Sequence, residues 1–264
     1  MSKVSRIKAT KNLKKDIKSA VDEIGGFSKF IKKGDAVLIK PNFNTADPPP
    51  ASTDVDFLRH VVELVYDAGA KAVIVGDSST MMLNTRKVME EKKVFDLDKN
   101  MKYPPRIIVF EERKWNVKKI KNGKYLKTIS VPESLEKVDK LILLPCCKTH
   151  MYAGYTGALK ISVGFMKPVE RVRLHMGHLQ EKVAELNTVI HPDLIIMDAR
   201  KCFITKGPAK GEVREPGLIF ASTSRVDIDI EGIKTIQKYE GNSLAGIKPE
   251  ELTQIKLAKK IGIK

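Results

Sequence analysis

Short apolar runs without polar alternation recur along the chain: Ala36-Val37-Leu38-Ile39, Val73-Ile74-Val75, Ile107-Ile108-Val109-Phe110, Leu141-Ile142-Leu143-Leu144, Leu194-Ile195-Ile196-Met197 and Leu218-Ile219-Phe220-Ala221. Such runs suit strands covered on both faces, the pattern of a parallel sheet. The segments between them carry helical spacing. Ile17, Ala20, Val21 and Ile24 recur at three and four after Leu13, and Leu58, Val61, Val62 and Val65 do so after a capping Asp54. Further helices are predicted around 85–97, over Leu179–Ile190, and over 226–240 and 249–261, with a first strand over 4–9. Asn122-Gly123, inside residues 115–131, signals a hairpin. The alternation predicts an α/β fold: a mostly parallel multi-strand sheet with flanking helices and a peripheral β-hairpin. It is taken as one domain over residues 1–264, with a division into two closely joined lobes left open.

Polar groups gather where the predicted strands end, the edge at which parallel α/β sheets present their chemistry. Lys40-Pro41-Asn42 follows one run, Gly76-Asp77 another, and Asp198 a third. The densest stretch follows Leu144, where Pro145-Cys146-Cys147-Lys148-Thr149-His150 leads into Met151-Tyr152-Ala153-Gly154-Tyr155-Thr156-Gly157-Ala158-Leu159-Lys160. It is predicted as a loop. His150, Lys148 and Lys160 are its candidate catalytic groups, and Lys40, Asn42, Asp77, Thr156 and Gly157 are candidate substrate contacts. His175 and His178, three apart on one predicted helix face, could ligate a metal with Asp198 nearby. Asp77, Asp198 and Asp229 suit metal binding, acid–base work or ribose recognition, or merely cap a helix. The competing structural readings are a loop histidine bonded to backbone and a snorkelling lysine. Cys146 and Cys147 read as inert thiols, and His60 and His191 as structural. Gly207-Pro208 and Gly211 mark a turn whose amides suit an anion.

The 264 residues carry a formal net charge of +16, so anionic partners come into view: a small anionic substrate, a nucleotide-like cofactor, or nucleic acid. Nucleic acid is the less favoured, because the lysines are dispersed and aromatics make up only 6% of the chain. Three cysteines point to a reducing compartment, and adjacent Cys146-Cys147 is no iron–sulfur ligand spacing. Neither a phosphate-binding Gly-x-x-x-x-Gly-Lys-Ser/Thr nor a Gly-x-Gly-x-x-Gly occurs. No run approaches a membrane span and the first residues lack the apolar stretch of a signal peptide, so a cytoplasmic protein with no membrane partner is expected.

Lys148-Thr149-His150 followed by Thr156-Gly157-Ala158-Leu159-Lys160 resembles the signature of the family called domain of unknown function 362. Lys40-Pro41-Asn42, Gly69-Ala70, Gly76-Asp77, Pro192-Asp193-Leu194 with Asp198, Gly207-Pro208 with Gly211, and Asp229 near a late strand match in the same order. Some members of that family carry an appended ferredoxin-like segment rich in Cys-x-x-Cys, a motif this chain lacks. His150-x-x-Ala153-Gly154-Tyr155-Thr156-Gly157-x-x-Lys160 is also similar to a stretch of the nickel-dependent lactate racemase family. That resemblance implies a proton-accepting histidine at 150, a nickel-pincer nucleotide tethered to Lys160, and a nickel-ligating histidine downstream, at 175 or 178. Ala158-Leu159 stands where that family has Gly-Arg, and its Ser-His-Pro segment is missing. The expected activity is proton or hydride transfer on a small hydroxy or carboxylic acid beside a metal or nucleotide-like cofactor. A redox or metal-handling accessory protein and a basic nucleic-acid-binding protein are the alternatives.

Overall fold

The computed structural model describes residues 3–264. In chain order, β1 (Ser5–Lys8), α1 (Leu13–Asp22) and α2 (Phe27–Phe30) precede β2 (Ala36–Lys40), α3 (Val55–Asp67), β3 (Ala72–Asp77), α4 (Thr85–Glu91) and β4 (Arg106–Val109). The hairpin β5 (Trp115–Lys119) and β6 (Thr128–Pro132) follows, then β7 (Lys140–Leu143), β8 (Cys146–His150) and β9 (Gly154–Thr156). The chain ends with α5 (Pro168–His175), α6 (Leu179–Leu186), β10 (Leu194–Phe203), β11 (Val213–Arg214), β12 (Leu218–Ser222), α7 (Arg225–Ile236) and α8 (Thr253–Lys260).

One ten-stranded sheet runs through both halves of the chain in the order β1-β12-β10-β7-β2-β3-β4, with β8 and β11 pairing β10 and β9 pairing β8. The five ladders linking β10, β7, β8, β2, β3 and β4 are parallel, as the continuous apolar runs predict. The edge differs: β12 runs antiparallel to β10, and β1 antiparallel to β12. β2, β3, β4, β7, β10 and β12 each divide their side chains between two cores. Leu194 and Ile196 join the core that holds α1 and α3, while Ile195 and Met197 join the one that holds α6, α7 and α8. Layers of helix on both faces explain why these strands read as unbroken hydrophobic runs.

Several boundaries move. The helix predicted around 85–97 is α4 followed by a 3₁₀ segment, Val94–Asn100, and α6 stops at Leu186 rather than Ile190. The larger change concerns 145–160, predicted as a loop. Pro145 breaks β7 from β8, which continues along the unusually long β10 and folds back as β9. Among the described residues no helix is long and apolar enough to cross a membrane.

Candidate functional site

Lys40 closes β2 and Asp77 closes β3, strands paired in register with Ile39 opposite Val75, so both side chains arrive at one carboxyl edge. They form a buried ion pair, Lys40 Nζ to Asp77 Oδ1 at 2.5 Å. Asp77 also accepts from the Phe43 and Ser78 amides, and Lys40 donates to the Pro41 carbonyl. Burial pushes Lys40 below its ordinary range and Asp77 above its own, each against the pull of its partner. Gly164 lets the pair sit where it does: a Cβ there would lie 2.6 Å from both Cε and Nζ of Lys40.

Arg171, from α5, clamps this edge to the segment after β9. Its guanidinium donates to the carbonyls of Ser78, Ser79, Gly164 and Met166 and to the Ser78 hydroxyl. Ser78 in turn donates to Glu111.

On β8 alternate side chains face opposite ways. Cys147 packs into the core, while Lys148 and His150 face a hollow. The Lys148 ammonium donates to the Ala51 carbonyl and is pushed down to about 8 by burial. The His150 Nδ1 accepts from the Tyr152 and Ala153 amides, each at 3.1 Å. An acceptor at Nδ1 fixes the neutral ring with its proton on Nε2. Burial, then the Lys160 and Lys148 charges, push its pKa down to about 2.

Lys160 opens a 3₁₀ segment, Lys160–Phe165, that Asp229 of α7 holds in place. The buried Asp229 carboxylate accepts from the Ala158 and Leu159 amides at 2.6 and 3.0 Å. Gly157 admits that carboxylate, since a Cβ would lie 2.1 Å from its Oδ1. Lys160 is half-buried, and its amine is pushed down to about 8 by burial first and by the Lys148 and Arg171 charges after it. Among the described residues no carboxylate forms an ion pair with it.

The resulting hollow has a volume of about 230 Å³ and is lined by Lys40, Asp77, Lys148, His150, Lys160 and His175. Asn42, Thr156 and Gly157 complete its walls, so nine of the eleven residues nominated from the sequence meet in one place. The His175 Nδ1 donates to the Arg171 carbonyl at 2.8 Å, which leaves its Nε2 with a lone pair, and burial lowers its pKa. The two imidazoles thus present opposite faces: an N–H from His150, an acceptor from His175.

His178 and Asp198 lie elsewhere. The chain turns through left-handed backbone at Gly177 and His178, so His175 ends α5 while His178 precedes α6, and the expected shared helix face does not exist. His178 stacks on Tyr125, with ring centroids 4.4 Å apart. Asp198 pairs with Arg200 at 2.7 Å, beside a separate cavity that Cys146 also lines. The expected His175–His178–Asp198 ligand set is therefore not assembled, and among the described residues no trio of His, Cys, Asp or Glu is grouped to hold a metal ion. Burial pushes both Cys146 and Cys147 up, keeping them as thiols. Asp229 lies on α7, within the helix predicted over 226–240, and its carboxylate serves the backbone. Arg171 is not among the residues the sequence singles out. Its signal was faint: after Pro168 at the helix start, Arg171, Leu174 and His175 fall at one-turn spacing.

This is an α/β protein with a cationic hollow at the carboxyl edge of its sheet. Residues 37–234 match the family model described as domain of unknown function (DUF362), and the chain belongs to that family. A thylakoid-associated protein from Synechocystis sp. is 27% identical over 221 residues, covering 81% of this chain and 66% of the relative. The lactate racemase apoprotein from Thermoanaerobacterium thermosaccharolyticum overlaps 89% of this chain and 63% of its own, with 13% identity and a TM-score of 0.44, too slight to transfer chemistry. This chain thus spans a little under two thirds of each of these two proteins. Of the positions that the racemase-like motif implies for a tethered nucleotide, Lys160, His150 and His175 line the hollow and His178 does not.

Proposed function

We propose that the hollow binds a small hydroxy or oxo acid through its carboxylate and moves a carbon-bound proton next to a carbonyl group: at C2 of a 2-hydroxy acid, beside the carboxylate, or at C3 of a 2-oxo acid, beside the ketone. The observation that carries this reading is the surplus of positive charge. Lys40 is neutralised by Asp77, while among the described residues neither Lys148 nor Lys160 forms an ion pair with a carboxylate and Asp47 acts on Lys148 only through space, so an anion between them relieves the repulsion that, after burial, lowers the Lys160 pKa. The two imidazoles then divide the chemistry. His175 offers its Nε2 lone pair to the departing proton, and the His150 Nε2–H bonds to the oxygen on which negative charge develops. A neutral imidazole held as a donor suits that task, because it stabilises an enolate without surrendering its own proton. The base assigned to position 150 by the racemase-like motif thus moves to position 175.

The test measures binding and exchange separately. Oxalate titrated into the protein by calorimetry should bind, and Lys148→Met and Lys160→Met should each weaken it at least about tenfold. Exchange of carbon-bound protons of pyruvate and lactate into D₂O, followed by NMR, should proceed in the wild type and fall by about a hundredfold in His175→Gln, with oxalate affinity kept. Absent oxalate binding would remove the anion site. Binding without exchange of either acid would remove the proton-transfer step.

A further inference from the structure

The hollow opens among apolar tips that are exposed among the described residues. Met82 and Leu83 follow the lining residue Met81, and Met151 and Tyr152 form the turn between β8 and β9. Val169, Val172 and Met176 lie along α5 and its end at i, i+3 and i+7, one face of the helix whose other side buries Arg171 and Leu174. Met82, Tyr152 and Met176 are 84%, 72% and 72% exposed.

The charges between these tips are of one sign. Lys167, Arg173, Lys206 and Lys210 are exposed on the rim segments, the last two beside Pro208, which lines the hollow, and beside Gly207, whose carbonyl accepts from the Met151 amide. None of the four is paired with a carboxylate among the described residues. The acid on these segments, Glu170, is turned inward to the Ser130 amide and hydroxyl.

We propose that this rim docks on an anionic lipid bilayer, its methionine, valine and tyrosine tips entering the headgroup layer and its lysines and arginine meeting lipid phosphates. Apolar tips interrupted by long basic side chains match a charged interface, where aliphatic stems lie in the apolar layer and cationic heads stay in water. A polypeptide ligand would call for a continuous groove, whereas these tips stand on separate segments around a small opening. The contact is peripheral, consistent with a chain whose described helices include no membrane span. It stands independently of the chemistry proposed for the hollow.

Co-sedimentation of the full chain with phosphatidylglycerol vesicles, against phosphatidylcholine vesicles, tests it. Selective sedimentation with the anionic vesicles is expected. Partitioning should fall at least about tenfold in Met82→Ser/Met151→Ser/Met176→Ser and in Lys206→Glu/Lys210→Glu. Val117→Ser, an exposed apolar site on the β5–β6 hairpin, should leave it unchanged. No anionic selectivity, or binding indifferent to the three methionines, would overturn the proposal. Equal retention on immobilised polyglutamate, also indifferent to them, would overturn it in favour of an acidic polypeptide.

Discussion

Replacing Asp77 by Asn removes the carboxylate that neutralises Lys40 at the floor of the hollow. Both side chains are all but sealed from water, at 1% and 2% exposure, so the stranded ammonium cannot recover its hydration. Its hydrogen bond to the Pro41 carbonyl would remain, and a neutral amide oxygen would at best replace the carboxylate that balanced its charge. Breaking a buried pair by removing one partner costs about 3–5 kcal/mol, most of it the uncompensated charge rather than the attraction lost. The Asn Oδ1 can still accept from one of the two amides that Asp77 holds, but its NH₂ faces the other, which adds about 1–3 kcal/mol for an unsatisfied buried donor. Asp77→Asn should therefore lower the urea unfolding free energy by at least about 3 kcal/mol at pH 7. Lys40→Met/Asp77→Asn, in which no charge is stranded, should regain a good part of the loss. An Asp77→Asn protein within about 1 kcal/mol of wild type would refute the reasoning, because the pair could not then be both buried and ionic.

Nitrogen-15 spectra should find His150 as the neutral Nε2–H tautomer and unchanged between pH 5 and 8. Its folded pKa lies below the ordinary value, so its contribution to stability is complete above about 6.5 and lost as pH falls toward 2. Detection of the Nδ1–H form would contradict the two amide contacts. Asp229 behaves oppositely: burial pushes its pKa up to about 7, so the folded chain keeps a proton that the unfolded chain releases near 3.8, and its contribution falls as pH rises through that window. Asp229→Asn should gain on wild type by about 4 kcal/mol between pH 4 and 8, and a difference independent of pH would sink this assignment. Gly157→Ala forces a methyl against the same carboxylate and should loosen the Lys160 segment, read as faster amide exchange at Ala158 and Leu159.

The sheet core was legible because β2, β3, β7 and β10 are covered on both faces and read as plain apolar runs ending in Lys40, Asp77 and Asp198. β8 was not. Its Lys148 and His150 are polar yet buried, since they face an internal hollow instead of solvent, and that pattern reads as loop. The His175–His178 pairing failed at Gly177, where left-handed backbone splits what looked like one helix start. The tautomers of His150 and His175 could not be read at all. They depend on which backbone amide or carbonyl the fold brings to each Nδ1, and Arg171 likewise acts through carbonyls that lie distant in sequence, at Ser78 and Ser79.

The surplus cationic charge at the sheet edge is the claim from which the anion site and its chemistry follow, and titration of the lysine side-chain amines by NMR, with Lys148→Met and Lys160→Met for assignment, tests it most directly. Two amines should titrate near pH 8, in line with the burial of Lys148 and Lys160, and both should move upward when oxalate is added. Amines at 148 and 160 that titrate above 10 and ignore oxalate would contradict the account.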